Sequence, residues 1–260
     1  MNLGIQDKVA LVTGGTRGIG LATARALASE GCRVAICARD EHRVAQTVHD
    51  LSVQGVAALG VSADVLSAAD IERVMNTVID CWGTIHILVN NVGGGGRWGS
   101  PIVEETSEDV WVDVYNKNAM AAIRFTKLAI PYMRKQRWGR VVTIASILGC
   151  EGGGRPWFNM AKSAEVSLMK TLAMTSYLVR DGITFNTVAP GSIMVPDTGW
   201  EEESKKYPKE FGEKLDRDFP LGRLGTPEEV ASAIVFACSE NARLLNGAAI
   251  VVDGGESHRF

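Results

Sequence analysis

The run Thr13-Gly14-Gly15-Thr16-Arg17-Gly18-Ile19-Gly20 is the first stretch of the 260-residue chain whose residue types could do chemistry. It follows an apolar run at 8–13 and opens an amphipathic one. Glycines there permit a tight turn and let a pyrophosphate approach the backbone. A helix starting at Gly18 would offer that anion unpaired N–H groups and the positive end of its dipole. A glycine triplet alone also fits a plain strand-to-helix turn. Its place between a buried strand and a helix is what points to a nucleotide.

The rest of the chain supplies a scaffold for such a turn. Short β-branched runs at 8–13, 33–38, 56–61, 85–90, 140–146, 183–189 and 248–252 read as strands. Between them, 18–30, 40–54, 67–82, 107–136 and 156–180 read as helices, and Thr226-Pro227-Glu228-Glu229 starts another with a capping box. Ser67 with Asp70 marks a further helix start. Near-continuous apolar strands alternating with helices predict a parallel sheet covered on both faces. With right-handed crossovers this is an α/β, doubly wound, seven-stranded Rossmann fold, expected as one domain over 1–260. The rhythm breaks at 192–219, which holds Trp200, Tyr207 and a Glu201-Glu202-Glu203 run. Its position after a strand's carboxyl end favours a substrate lid over a merely solvated surface helix.

Composition excludes several classes. An apolar share of 46% with a net charge of −3 rules out intrinsic disorder. Lys and Arg number 27 against 30 Asp and Glu, so no basic excess points to nucleic acid. Arg134, Lys135, Arg137 and Arg140 more simply solvate a helix end. No apolar run is long enough for a membrane helix, and the first residues lack the basic and apolar blocks of a signal peptide. The five Cys form no C-x-x-C pair and the four His lack ligand spacing. Free thiols in a cytoplasmic chain, with no metal, are the expectation.

The glycine spacing G-x-x-x-G-x-G, with further motifs along nearly the whole chain, resembles the classical short-chain dehydrogenase/reductase family, and its 3-oxoacyl-acyl carrier protein reductase-like members in particular. Asn90-Asn91-Val92-Gly93 is similar to that family's NNAG, with Val for Ala. Thr143-Ile144-Ala145-Ser146, Lys162, Pro190-Gly191, Pro220-Leu221-Gly222-Arg223 and Asp253-Gly254-Gly255 carry the rest. The resemblance implies hydride transfer between a nicotinamide dinucleotide and a small-molecule carbonyl or alcohol. It implies cofactor contacts at Gly14, Thr16, Arg17, Gly18, Ile19, Gly20, Arg39, Asp64, Val65, Asn91, Gly93, Lys162, Pro190, Gly191 and Ile193. At the end of the second strand, an acidic residue would bind a ribose 2′-hydroxyl and a basic one would accommodate a 2′-phosphate. The run Cys37-Ala38-Arg39-Asp40 puts Ala38 where relatives preferring NAD carry Asp, and Arg17 and Arg39 could face a phosphate. NADP(H) is expected over NAD(H).

The implied catalytic positions are Asn118, Ser146, Phe158 and Lys162. In the family the third is Tyr, which passes a proton to the carbonyl oxygen while the Lys four residues on lowers its pKa from about 10. This chain reads Phe158-Asn159-Met160-Ala161-Lys162. Phe has the ring and no proton. Three readings stand: an engineered Tyr-to-Phe replacement; a natural enzyme with a displaced acid, for which Cys150, Glu151, Asn159, Tyr207 or a water near Lys162 qualify; and a nucleotide-binding homologue without turnover. After Pro190-Gly191, Val195 stands at the family's usual carboxamide-binding Thr, with Thr198 a substitute. Gly94, Trp98, Glu151, Trp157 and Trp200 are expected around the substrate, though a Trp fits a buried core as well as a pocket wall. A homotetramer or homodimer through the helices at 107–136 and 156–180 is also implied by the resemblance.

Overall fold

The computed structural model describes residues 2–259. Strand alternation sorts the apolar residues by face. Leu11, Ala35, Leu88, Val141 and Phe185 enter one core, while Ala10, Val12, Val34, Ile36 and Val89 enter the other. The strands are β1 (Val9–Thr13), β2 (Arg33–Ala38), β3 (Ala58–Ser62), β4 (Ile87–Asn90), β5 (Gly139–Ile144), β6 (Ile183–Pro190) and β7 (Ala249–Val252). They form one parallel seven-stranded sheet in the order β3-β2-β1-β4-β5-β6-β7. The first core is closed by α3 (Ala68–Trp82), α5 (Ala121–Lys135) and α6 (Pro156–Ala173). The second is closed by α1 (Gly18–Ser29), α2 (Glu41–Val53) and α10 (Pro227–Ala237). This is the expected Rossmann-like architecture. Strand order reverses between β1 and β4, which opens a crevice at their carboxyl ends.

Both capping signals read from the sequence are made. Ser67 accepts from Asp70 N, and Thr226 forms a reciprocal capping box with Glu229. Two long helices are interrupted. The expected helix at 107–136 divides into α4 (Glu108–Tyr115), a π turn (Asn116–Met120) and α5. Asn118 donates its side-chain amide to Val114 O at 2.7 Å, competing with the backbone ladder one turn back. The expected helix at 156–180 stops at Ala173 and restarts as α7 (Ser176–Arg180), because Asn246 donates to Ala173 O and Thr175 bonds back to Thr171 O. The stretch 192–219 holds α8 (Gly199–Lys206) and α9 (Pro208–Asp218). No helix among the described residues is long and apolar enough to cross a membrane, and no cluster among them could hold a metal.

Candidate active site

The glycine turn is locked from the neighbouring strand. Thr13 Oγ1 accepts from Asn91 N at 2.9 Å and from Val92 N at 3.0 Å, while Asn91 Nδ2 donates to Thr13 O at 2.8 Å. Asn90 ties β4 to α5 and β5 through Thr126 and Thr143. A Cβ on Gly20 would stand 2.2 Å from Gly14 O, and Gly14 itself has φ +68°. Only glycine allows that approach. Arg17 precedes α1 without a side-chain cap, so no side chain caps the first N–H groups of the helix, which stay available to an anion. Val195 methyl groups lie over the turn, 3.1 Å from where a Gly18 Cβ would sit.

Arg17 and Arg39 are exposed beside the turn, and a third cation joins them. Burial holds the Lys117 ammonium below its ordinary pKa; Arg39 and Arg17 push it the same way and Asp64 opposes them. Asp40 is occupied elsewhere, capping α2 at Arg43 N. Asp64 accepts from Leu66 N.

Deeper in the crevice, Asn118 is fully buried and its carboxamide exchanges hydrogen bonds with Gly94 N (3.1 Å) and Gly94 O (2.8 Å). A Cβ on Gly93 would lie 2.6 Å from Asn118 Oδ1 and 2.9 Å from Lys162 Nζ. Only a residue without a side chain lets the loop pass this close to both groups. Lys162 donates to Ile144 O and to Glu165 Oε2, both at 2.9 Å. Ser146 caps the short turn Ile147–Gly149, accepting from Leu148 N. The Phe158 ring lies about 3.5 Å from where a Gly96 Cβ would be, with its centroid 5.8 Å from Lys162 Nζ. Burial pushes the Glu165 carboxyl up to about 7, with Lys162 pulling the other way.

The residues expected around the substrate lie in different settings. Trp157 is completely buried against Val114 and Ala161, edge-on to Trp111, because α4 packs on α6 there; it is core. Trp200 packs with Phe211 and Phe219 in a small cluster of the 192–219 segment, with Arg97 across its face at 5.5 Å. Glu151 Oε2 accepts from His258 N, which ties the residue to the C-terminal tail. Trp98 is exposed with Lys117 over its ring, and the Gly94 backbone is held by Asn118. Thr198 donates to Val195 O, so its hydroxyl already serves the loop. Pro190 and Gly191 lead into Ser192, whose N–H and hydroxyl both bind Glu256, and Ile193 bridges to Gly225. Sequence reading missed Lys117, Glu165 and Glu256. An acidic residue three positions after Lys162 on one helix face was a visible signal for the second. A cavity of about 480 Å³ lies along α4 and α6 between Trp111, Tyr115 and Met160.

A doubly wound α/β sheet with a glycine-rich turn at its switch point defines a class of protein built around a crevice at the strands' carboxyl ends. The chain belongs to the short-chain dehydrogenase/reductase family. A sequence model described as enoyl-(acyl carrier protein) reductase matches residues 14–257. Dehydrogenase/reductase SDR family member 4 of Oryctolagus cuniculus is 35% identical over 259 residues, spanning 98% of this chain and 96% of that protein. Among solved structures, L-sorbose reductase from Gluconobacter frateurii complexed with NADPH and L-sorbose gives a TM-score of 0.92 at 33% identity, covering 100% of both chains. A variant of the actinorhodin polyketide ketoreductase with NADPH gives 0.88 at 34% identity, covering 97% of this chain and 98% of that one.

Proposed function

We propose that this chain is a cytoplasmic oxidoreductase scaffold for hydride transfer between NADP(H) and a ketone or secondary alcohol, slowed at protonation because position 158 is Phe. The observation that carries the reading is the Phe158 ring, which lies beside Gly96 with its centroid 5.8 Å from Lys162 Nζ and has no ionisable atom. NADP(H), when bound, supplies the hydride. Gly14, Thr16, Gly18, Ile19, Gly20 and the first N–H groups of α1 hold the pyrophosphate. Asp64 and Val65 meet the adenosine, and Arg17 and Arg39, with Lys117, face the 2′-phosphate. Asn91 braces the turn. Gly93, Pro190, Gly191, Ile193 and Lys162 take the nicotinamide half. Ser146 donates to the substrate oxygen, and Asn118 fixes the Gly94 loop. NADPH in the sorbose reductase and ketoreductase structures supports the dinucleotide choice.

Trp98 and Gly94 form the open wall, and the segment at 192–219 closes over it as a lid of the single 1–260 domain. Exposed Val112 and Met160 beside the cavity on α4 and α6 support self-association there as a homodimer or homotetramer.

The test compares Phe158→Tyr with the unaltered chain for NADPH oxidation against ketones, aldehydes and β-ketoacyl thioesters. Restoring the acid is expected to raise the rate about 10²- to 10⁴-fold. No gain beside an unaltered chain that turns over well would overturn the role given to Phe158. If both chains bind NADPH and reduce nothing, the nucleotide-binding homologue gains. If neither binds it, the cofactor assignment fails.

A further inference from the structure

Glu165 is a buried charge that the proposed reaction leaves without a task. It sits on α6 one turn beyond Lys162 and is 1% exposed. Its hydrogen bond to Lys162 Nζ at 2.9 Å is the one it makes among the described residues. Lys162 is 4% exposed and gives a second N–H to Ile144 O. Its third N–H has no protein partner among the described residues, and the Gly93 loop passes so close that a Cβ there would stand 2.9 Å from Nζ. Ammonium and carboxylate thus form one buried unit directly beneath the Gly93 loop. Ionised at both groups the unit is neutral; with Glu165 protonated it carries one positive charge.

Burial raises the Glu165 carboxyl to about 7, so that protonation falls in an accessible range. Of the elements packed against α6, α4 carries Glu108, Asp109 and Asp113, the π turn Lys117, β5 Arg140 and α7 Arg180, while β6 carries no charge. Lys162 is the charged group in direct contact with the carboxyl.

We propose that Glu165 is a positioning residue for Lys162 whose proton sets the charge of the cleft, so that the site distinguishes the oxidised from the reduced cofactor. The inference rests on the NADP(H) reading above. An oxidised nicotinamide ring is cationic and a reduced one is neutral, while the phosphates are common to both. A net cation at Lys162 opposes the oxidised ring, and a neutral pair does not. The proton on Glu165 therefore favours NADPH, and its loss favours NADP⁺. By linkage, binding NADP⁺ expels that proton.

The experiment measures dissociation constants for NADP⁺ and NADPH across pH 7 on the full chain. The ratio of the NADP⁺ constant to the NADPH constant is expected to fall about tenfold as pH rises, on the scale of unit charges interacting in a partly buried site. Glu165→Gln keeps a hydrogen-bonding group beside Nζ and cannot ionise, so its ratio is expected to stay flat at the low-pH value. Calorimetry of the unaltered chain in buffers of different ionisation enthalpy reads the proton directly, whether or not the variant folds. Release on binding NADP⁺, and none on binding NADPH, is the expected result. A flat ratio with no proton release overturns the role of Glu165 and leaves the cofactor reading intact. A chain that binds neither nucleotide overturns the cofactor reading, and this inference with it.

Discussion

At the scale of single residues, the charges around the crevice fall into two groups. Arg17 and Arg39 flank the glycine turn, Lys117 lies over the Trp98 ring within electrostatic reach of both, and the Lys162–Glu165 pair is buried beneath Gly93. The three cations disfavour one another, and a phosphate dianion among them would relieve that repulsion. Arg39→Ala is therefore expected to weaken NADPH binding about 10- to 100-fold, the range for one lost hydrogen bond to a charged group. NADH binding should change little. Fluorescence titration with both nucleotides decides it, since an equal loss for NADH would remove the 2′-phosphate from the account. Arg17 and Arg39 were readable from sequence because they flank the glycine turn and the second strand. Lys117 was not, because its place beside them depends on the π turn, which no local pattern announced. Ser146, just past β5, and Lys162, on α6, were singled out by motifs alone. Whether Trp157 lined the pocket was not legible, since an indole suits a wall and a core equally until α4 is seen packed on α6.

At the scale of elements, the site depends on two departures from regular structure. The first is the glycine turn, where Gly20 passes so close to Gly14 O that no side chain fits. Gly20→Ala is expected to destabilise the fold by about 1–3 kcal/mol, the usual range for overpacking, and to abolish NADPH binding. Calorimetric unfolding and a binding titration check the two halves separately. Retained binding would mean that the turn relaxes and is not a rigid cradle. The second departure is the π turn at Asn116–Met120, which sets Asn118 against the Gly94 backbone. Sequence periodicity predicted one unbroken helix there because apolar spacing continues through the turn. Helix starts were better determined: Ser67 and Thr226 each carry a side-chain bond within their own first turn. Thr226→Ala should cost about 1 kcal/mol, the common value for a lost cap, with little effect on binding. A denaturant midpoint unmoved by this change would show that Pro227 and the Arg223–Glu229 ion pair suffice to start α10.

At the scale of the whole molecule, a parallel sheet separates function from stability by its two ends. Thr13, Asn90 and Ser146 mark the carboxyl ends that build the crevice, whereas His86 joins the strands at their amino ends. Its Nδ1 accepts from Val9 N at 3.1 Å and its ring meets Trp138 edge-on. Burial, helped by Lys8 and Arg33, pushes the imidazole down to about 4. An unfolded His titrates near 6.5. The unfolded chain therefore takes up the proton first. The contribution of His86 is whole above pH 6.5 and is lost as pH falls toward 4, where a proton on Nδ1 also removes the acceptor for Val9 N–H. Discounted for partial exposure, the loss should be about 1 kcal/mol. Glu165 works in the opposite sense, since a carboxyl raised to about 7 favours the folded state at lower pH. The difference between the chain and its His86→Gln variant isolates the histidine from that background. Unfolding midpoints measured between pH 7 and 4 should fall less steeply in the variant, while its NADP⁺ to NADPH binding ratio keeps the pH dependence of the parent. Equal slopes would place the acid sensitivity of the fold elsewhere, and an altered binding ratio would mean that the two ends of the sheet are coupled.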